Sequence, residues 1–335
     1  MEHRLPKLKP NATIGIFSPS CPITFDAPYA AHMAEQFLIG CGFRVKHGAR
    51  FGKIDSSYRS GTIKERAQEL NELIYDDSVD CIMAAAGGYV SDSILPYIDY
   101  AYLKDHPKIF VGHSDVTSVL LAVHAKCGFP VFYGPNFVTS FAHSNIYREY
   151  ALKVFLDVVN SDEPYEIPKS VYYTDEHTDW YAGEVQFKEQ IEKEQKQRNL
   201  WKKVAPGKAS GRLMGGNTDN FSLLYGNPYC PEIQQGDILF LENINEEADF
   251  FERAIANLFT FGIFEKISGL ILGKPKGYND IGSNKSETDI FSEIVNGRDI
   301  PILADFDCGH TLPIATLPIG KQVCLDTENL SLTVL

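Results

Sequence analysis

The segment Val111-Gly112-His113-Ser114-Asp115-Val116-Thr117 offers the clearest chemistry in the chain. An apolar strand runs into Gly112, and an amphipathic helix starts at once after Ser114. A serine on such a corner is lifted above a sheet, with its Oγ at a helix N-terminus whose free N–H groups favour developing negative charge. The other reading is that Ser114 or Asp115 merely caps the helix. Val116 stands where G-x-S-x-G would need its second glycine, which disfavours the α/β-hydrolase consensus. A serine nucleophile needs a base and a group that orients it. His113 adjoins the serine and diverges from it, and His124 falls within an apolar helical pattern. His310 lies in Asp307-Cys308-Gly309-His310-Thr311-Leu312-Pro313, a loop bounded by turn residues and suited to offering a side chain to a cleft. Cys308 is a poor alternative nucleophile, being two positions from that histidine with no turn of its own.

Glu242 ends the apolar run Leu239-Phe240-Leu241, where a carboxylate is placed to hold an imidazole. The alternative is a helix-start acid serving the dipole, a role that Glu246 and Glu247 fit better. Gly87-Gly88 closes the run Ala84-Ala85-Ala86. Paired glycines there let backbone approach a ligand closely, and with the N–H of Asp115 they form a candidate oxyanion hole; a tight turn without a ligand is the other reading. Gly215-Gly216-Asn217 is a second glycine pair suited to the same cleft. No G-K-[ST] follows it, so it is not a P-loop, and no G-x-G-x-x-G follows the first strand.

These residues sit on alternating strand and helix signals. Residues 12–17, 43–45, 80–86 and 108–111 read as strands, and 27–39, 62–75 and 116–127 as helices, the last with Gly128 at its C-cap position. Strands separated by helices imply βαβ units and a mostly parallel sheet, whose reactive loops lie beyond the carboxyl ends of the strands. Residues 184–203 are rich in Glu, Lys and Gln and read as a solvated helix or mobile loop, with Trp180 and Trp201 at its flanks keeping a lid role open. Further strands (238–241, 270–272), a helix around 251–258 and a β-rich tail from Pro301 follow. Two domains are expected, 1–165 carrying the serine and 166–335 carrying Glu242 and His310.

In 335 residues, Lys+Arg number 31 and Asp+Glu 44, a net charge of −13 that repels phosphate backbones and argues against nucleic acid as a partner. No apolar run approaches a membrane span, and residues 1–7 carry no apolar signal core. The seven cysteines are scattered without a C-x-x-C pair, which argues against a disulfide framework or cysteine-based zinc site and fits a reducing cytoplasm.

Taken together, the chain resembles the LD-carboxypeptidase family of serine peptidases, which includes the microcin-immunity proteins. The likeness runs through Thr13–Ser20, Gly87-Gly88, Gly112–Thr117, Gly211–Asn217, Leu239–Glu242, Gly309-His310-Thr311 and Leu317–Gly320. It implies a Ser114–Glu242–His310 triad and an oxyanion hole from the backbone N–H groups of Gly88 and Asp115. It further implies a Rossmann-like N-terminal half and a β-rich C-terminal half with the cleft between them, usually as a homodimer, without metal or cofactor. Gly87 and Asn217 would line the substrate site. Asn243 departs from the aspartate expected after the triad glutamate. One branch of the family trims D-alanine from murein tetrapeptides in the cytoplasm; the other cuts the bond between an aminoacyl group and a nucleotide-like moiety. The insert near 184–203 resembles the second, in which an aromatic such as Trp180 stacks on a nucleobase.

Overall fold

A computed structural model describes residues 5–295 and 298–335. Five strands alternate with helices in the first part: β1 (Thr13–Phe17), β2 (Arg44–His47), β3 (Cys81–Ala84), β4 (Ile109–Gly112) and β5 (Val131–Tyr133). β1, β3, β4 and β5 are buried throughout, as expected of parallel strands covered on both faces. All four pairings among the five are parallel. Helix Ile63–Tyr75 is started by a reciprocal capping box between Thr62 and Glu65. Helix Thr117–Cys127 ends at Gly128 in the left-handed conformation, φ 82°, where a Cβ would strain the backbone.

The remaining strands are β6 (Tyr165–Glu166), β7 (Tyr172–Tyr173), β8 (Gln197–Arg198), β9 (Lys202–Ala205), β10 (Lys208–Asn217), β11 (Ile238–Glu242), β12 (Gly269–Gly273), β13 (Ile302–Phe306), β14 (Leu317–Ile319), β15 (Gln322–Asp326) and β16 (Ser331–Val334). The second sheet has eight strands in the order β6-β16-β15-β10-β11-β12-β13-β9. Its centre, β10 to β13, is parallel, and antiparallel strands extend it on both sides. The chain is thus α/β, a parallel-rich sheet followed by a β-rich one.

One strand crosses between the sheets. The chain leaves the second sheet after β13, and β14 pairs antiparallel with β5, making the first sheet six-stranded in the order β14-β5-β4-β3-β1-β2. Residues 307–316 span that crossing, so His310 is carried to the seam between the two layers. Among the described residues no helix is long and apolar enough to cross a membrane.

The charged stretch is a helix, Glu184–Lys193, whose solvent face carries the pairs Glu184–Lys188 and Glu189–Lys193 at i,i+4. Phe187 anchors it, buried against Tyr29 and Trp180. The expectation that both tryptophans flank a lid is corrected for Trp201: it is buried against Phe306, with ring centroids 4.4 Å apart, and belongs to the core.

Candidate active site

Ser114 follows β4 and has φ 67°, the left-handed region that a non-glycine residue occupies at a cost of order 1–3 kcal/mol. The surroundings hold it there. Its N–H donates to the Tyr133 hydroxyl at 2.9 Å, and its carbonyl accepts the Thr117 hydroxyl at 2.6 Å. Neither Ser114 nor Asp115 caps the helix with its side chain, so the capping reading is overturned. Ser114 is partly exposed, and its Oγ makes no hydrogen bond within the described residues.

The Asp115 carboxylate instead accepts the N–H groups of Val90 and Ser91, at 3.1 and 3.0 Å, and the Asn220 amide at 3.2 Å. Ser20 Oγ accepts from the N–H of Tyr89 and of Val90, each at 3.0 Å. The loop bearing Ser20 is fastened by buried Glu69, which accepts the N–H of Ser18 at 2.9 Å and of Arg50 at 2.7 Å. The turn at 87–91 is therefore clamped from two sides. Glycine is required at both of its leading positions. A Cβ on Gly87 would lie 2.9 Å from Ser114 Oγ, and one on Gly88, at φ 144°, would lie 2.3 Å from Ser20 Oγ.

Glu242 is the last residue of β11, and the following helix starts only at Ala248, which removes the helix-start reading. Its carboxylate is buried yet fully engaged. Oε2 meets His310 Nδ1 at 2.7 Å, and Oε1 accepts Tyr133 O–H at 2.5 Å and Asn217 Nδ2–H at 3.1 Å. Burial alone would raise the pKa of this carboxyl, but the charge and hydrogen bond of His310, with the donors on Tyr133 and Asn217, outweigh it and hold it below its ordinary value. Gly309 lets the histidine loop come this close: a Cβ there, at φ 150°, would stand 2.9 Å from Glu242 Oε2. With Nδ1 on the carboxylate, His310 Nε2 makes no hydrogen bond among the described residues.

The structure thus joins Glu242 to His310 at the seam of the two sheets and ties Ser114 to Glu242 through one intervening residue. Glu242 contacts His310 directly, and Tyr133 bridges Glu242 Oε1 to the Ser114 backbone. Asn217 lies in the same network, its N–H donating to Thr117 Oγ1 at 3.0 Å. His113 is buried, with Nδ1 on the Gly134 carbonyl at 2.9 Å and its ring edge-on to His310 at 5.4 Å. Burial, followed by the charge of His310, depresses its pKa to about 4, so it stays neutral. His124 packs with Nδ1 on the Phe129 carbonyl, as its place in the helix suggests. Cys308 is fully buried, which pushes its thiol well above the ordinary range and removes it as a nucleophile. Asn243 turns to Glu287, 3.1 Å away. Trp180 is half-buried, edge-on to His143 at 5.2 Å.

Tyr133 is the main residue that the sequence reading missed. In sequence it is an aromatic in a short apolar strand, and only the packing of β5 against β11 reveals that its hydroxyl has two partners.

The chain is similar to known proteins over most of its length. Residues 14–134 match the LD-carboxypeptidase N-terminal domain and residues 210–325 the LD-carboxypeptidase C-terminal domain. A putative carboxypeptidase of Vibrio cholerae is 38% identical over 94% of this chain and 92% of that protein. The microcin C7 self-immunity protein MccF of Escherichia coli is 35% identical over 96% of this chain and 92% of that protein. A structure of MccF with glutamyl sulfamoyl guanosine superposes with a TM-score of 0.93 at 34% identity, covering 98% of this chain and 97% of that one, and MccF has also been solved with aspartyl sulfamoyl adenosine. A probable murein peptide carboxypeptidase of Bacillus subtilis is 27% identical over 94% of this chain and 89% of that protein. The chain belongs to the LD-carboxypeptidase family, on its microcin-immunity side.

Proposed function

We propose that the chain is a serine amidohydrolase of the microcin-immunity type, cutting the bond between an aminoacyl or peptidyl group and a nucleotide-like moiety. Ser114 Oγ bonds to the scissile carbonyl carbon while His310 Nε2 takes its proton. The tetrahedral oxyanion is held by the N–H groups of Gly88 and Asp115. As the tetrahedral intermediate collapses, the carbonyl–nitrogen bond breaks and His310 passes the proton to the leaving nitrogen. Water then attacks the acyl ester, giving a proton to His310; the ester C–O bond breaks as His310 returns that proton to Ser114 Oγ, and the acid is released. Glu242 keeps Nδ1–H of the imidazole oriented and offsets the charge of the imidazolium.

The observation that carries the proposal is the closed Glu242–His310 bond beside a serine held at positive φ. Gly87 and Asn217 would line the substrate site, with Trp180 stacking on the base. The ligands solved on MccF, two aminoacyl sulfamoyl nucleosides, favour that substrate class. The Bacillus relative supports a second reading, removal of terminal D-alanine from murein tetrapeptide. We read residues 1–165 and 166–335 as two domains and the protein as a cytoplasmic homodimer; seven unpaired cysteines suit a reducing compartment. A panel of aminoacyl sulfamoyl-adenosines and muropeptides with intact-mass readout tests the assignment. Cleavage of the nucleoside conjugates at the acyl–nitrogen bond is expected. Loss of D-alanine alone would move the chain to the murein reading, and turnover of neither would defeat both.

A further inference from the structure

We infer that Lys276 recognises a negatively charged oxygen group on the substrate, a carboxylate or a phosphoryl or sulfamoyl group beside the bond that is cut. The inference rests on the reading of this cleft as a hydrolytic site and adds the charge class of what enters it.

Lys276 lies on the loop after β12, two residues beyond Lys274. The two lysines are treated differently. Lys274 is buried and satisfied: Nζ donates to the Asp305 carbonyl at 2.6 Å and lies 3.5 Å from Asp307 Oδ1. Lys276 is half-buried, and its ammonium has no hydrogen bond and no carboxylate within 4.0 Å among the described residues. Its backbone is fixed. Residues Ile244 and Lys276 form a parallel bridge, and Asn245 N–H donates to the Lys276 carbonyl at 2.7 Å, tying the loop to the one that follows Glu242.

That tie sets the charge on the side of the molecule where Glu242 meets His310. It contributes to the depression of His113, whose ring is edge-on to His310. The acids that act on it, Asp175 and Glu194, come from the segment that also carries Trp180. Both hold other groups: Asp175 Oδ1 accepts Gln197 Nε2–H at 2.7 Å, and Glu194 Oε1 meets His143 Nδ1 at 2.5 Å. Neither carboxylate comes within 4.0 Å of the ammonium, although Glu194 Oε2 is buried without a hydrogen bond of its own among the described residues. Burying an ammonium without a partner is costly. A chain with 44 acidic residues has no shortage of counter-ions, so an unpaired cation at this point marks a place where the ligand supplies the anion.

Binding measured by calorimetry on the Ser114→Ala protein tests this without turnover. The probes are an aminoacyl sulfamoyl-adenosine, a short peptide with a free terminal carboxylate, and the same peptide as its neutral amide. Lys276→Met is expected to weaken whichever anionic probe uses the site by about tenfold or more, to leave the amide within about twofold, and to lose less at high salt. Lys276→Arg should restore most of the loss. The two anionic probes distinguish the sources of the charge. Equal weakening of charged and neutral probes, no weakening at all, or a Ser114→Ala protein that prefers no anion would overturn the inference. Selective anion binding through Lys276 in a protein whose Ser114 form hydrolyses nothing would sink the hydrolase reading and leave the recognition standing.

Discussion

Replacing Tyr133 by phenylalanine removes a single oxygen and strikes two partners. The hydroxyl donates to Glu242 Oε1 at 2.5 Å and accepts the Ser114 N–H at 2.9 Å. A hydrogen bond to a charged group contributes about 1.5–3 kcal/mol, and a buried N–H left without an acceptor costs roughly 1–3 kcal/mol more. Two features soften the sum. Asn217 still holds Oε1, and the corner bearing Ser114 is partly exposed and freer to adjust than the core. A loss of about 2–4 kcal/mol in unfolding free energy follows. The effect on chemistry is separate. With one of its three donors gone, Glu242 is less well held as an anion and stabilises the His310 imidazolium less, and the serine corner loses a tether. Turnover should fall about 10- to 100-fold, mainly in kcat, because none of these contacts touches the ground-state substrate directly. Urea denaturation followed by circular dichroism gives the first quantity and steady-state kinetics the second. A Tyr133→Phe protein with unchanged midpoint and unchanged kcat would refute the reasoning that this hydroxyl couples the serine corner to the carboxylate.

Other consequences are open to equally direct checks. Gly87→Ala sets a methyl 2.9 Å from both Ser114 Cβ and Oγ, so activity should drop by about tenfold or more and the thermal midpoint should fall with it. Trp201→Ala empties a core position and should cost about 3–5 kcal/mol in denaturant titration, whereas Trp180→Ala should mainly weaken binding of the nucleoside probe. Burial raises the Glu287 carboxyl from 4.5 to about 8, so folding favours its protonated form. The associated stability is complete below pH 4.5 and drains away as pH rises to about 8. Glu287→Gln should flatten the fall in thermal midpoint across that window, and an identical slope in both proteins would contradict the assignment.

Elements whose signal is local were legible in the sequence. The apolar runs ending at Ala86 and Val111 are buried parallel strands, and the 62–75 periodicity is a capped helix. Ser114, Glu242 and His310 stand out because each ends an apolar run or sits in a turn-bounded loop, the positions at which such a sheet presents side chains. What stayed hidden depends on contacts between distant segments. The crossing of β14 into the first sheet leaves no mark in the composition of residues 317–319, and the burial of Trp201 is set by Phe306, more than a hundred positions away. Asp115 reads as a helix cap because it precedes a helix; the loop at 90–91, brought over by β3, takes its carboxylate instead. Lys276 looks like any loop lysine until its ammonium is found, half-buried, with no carboxylate within 4.0 Å among the described residues.

The central claim, that the hydroxyl at 114 is the attacking atom, is tested most directly by intact-mass analysis of the protein quenched during turnover of an aminoacyl sulfamoyl-adenosine. The account expects an acyl adduct mapping to Ser114, together with a Ser114→Ala protein that keeps its thermal midpoint, binds the same compound and cleaves none of it. Wild-type cleavage rates in that variant would contradict it.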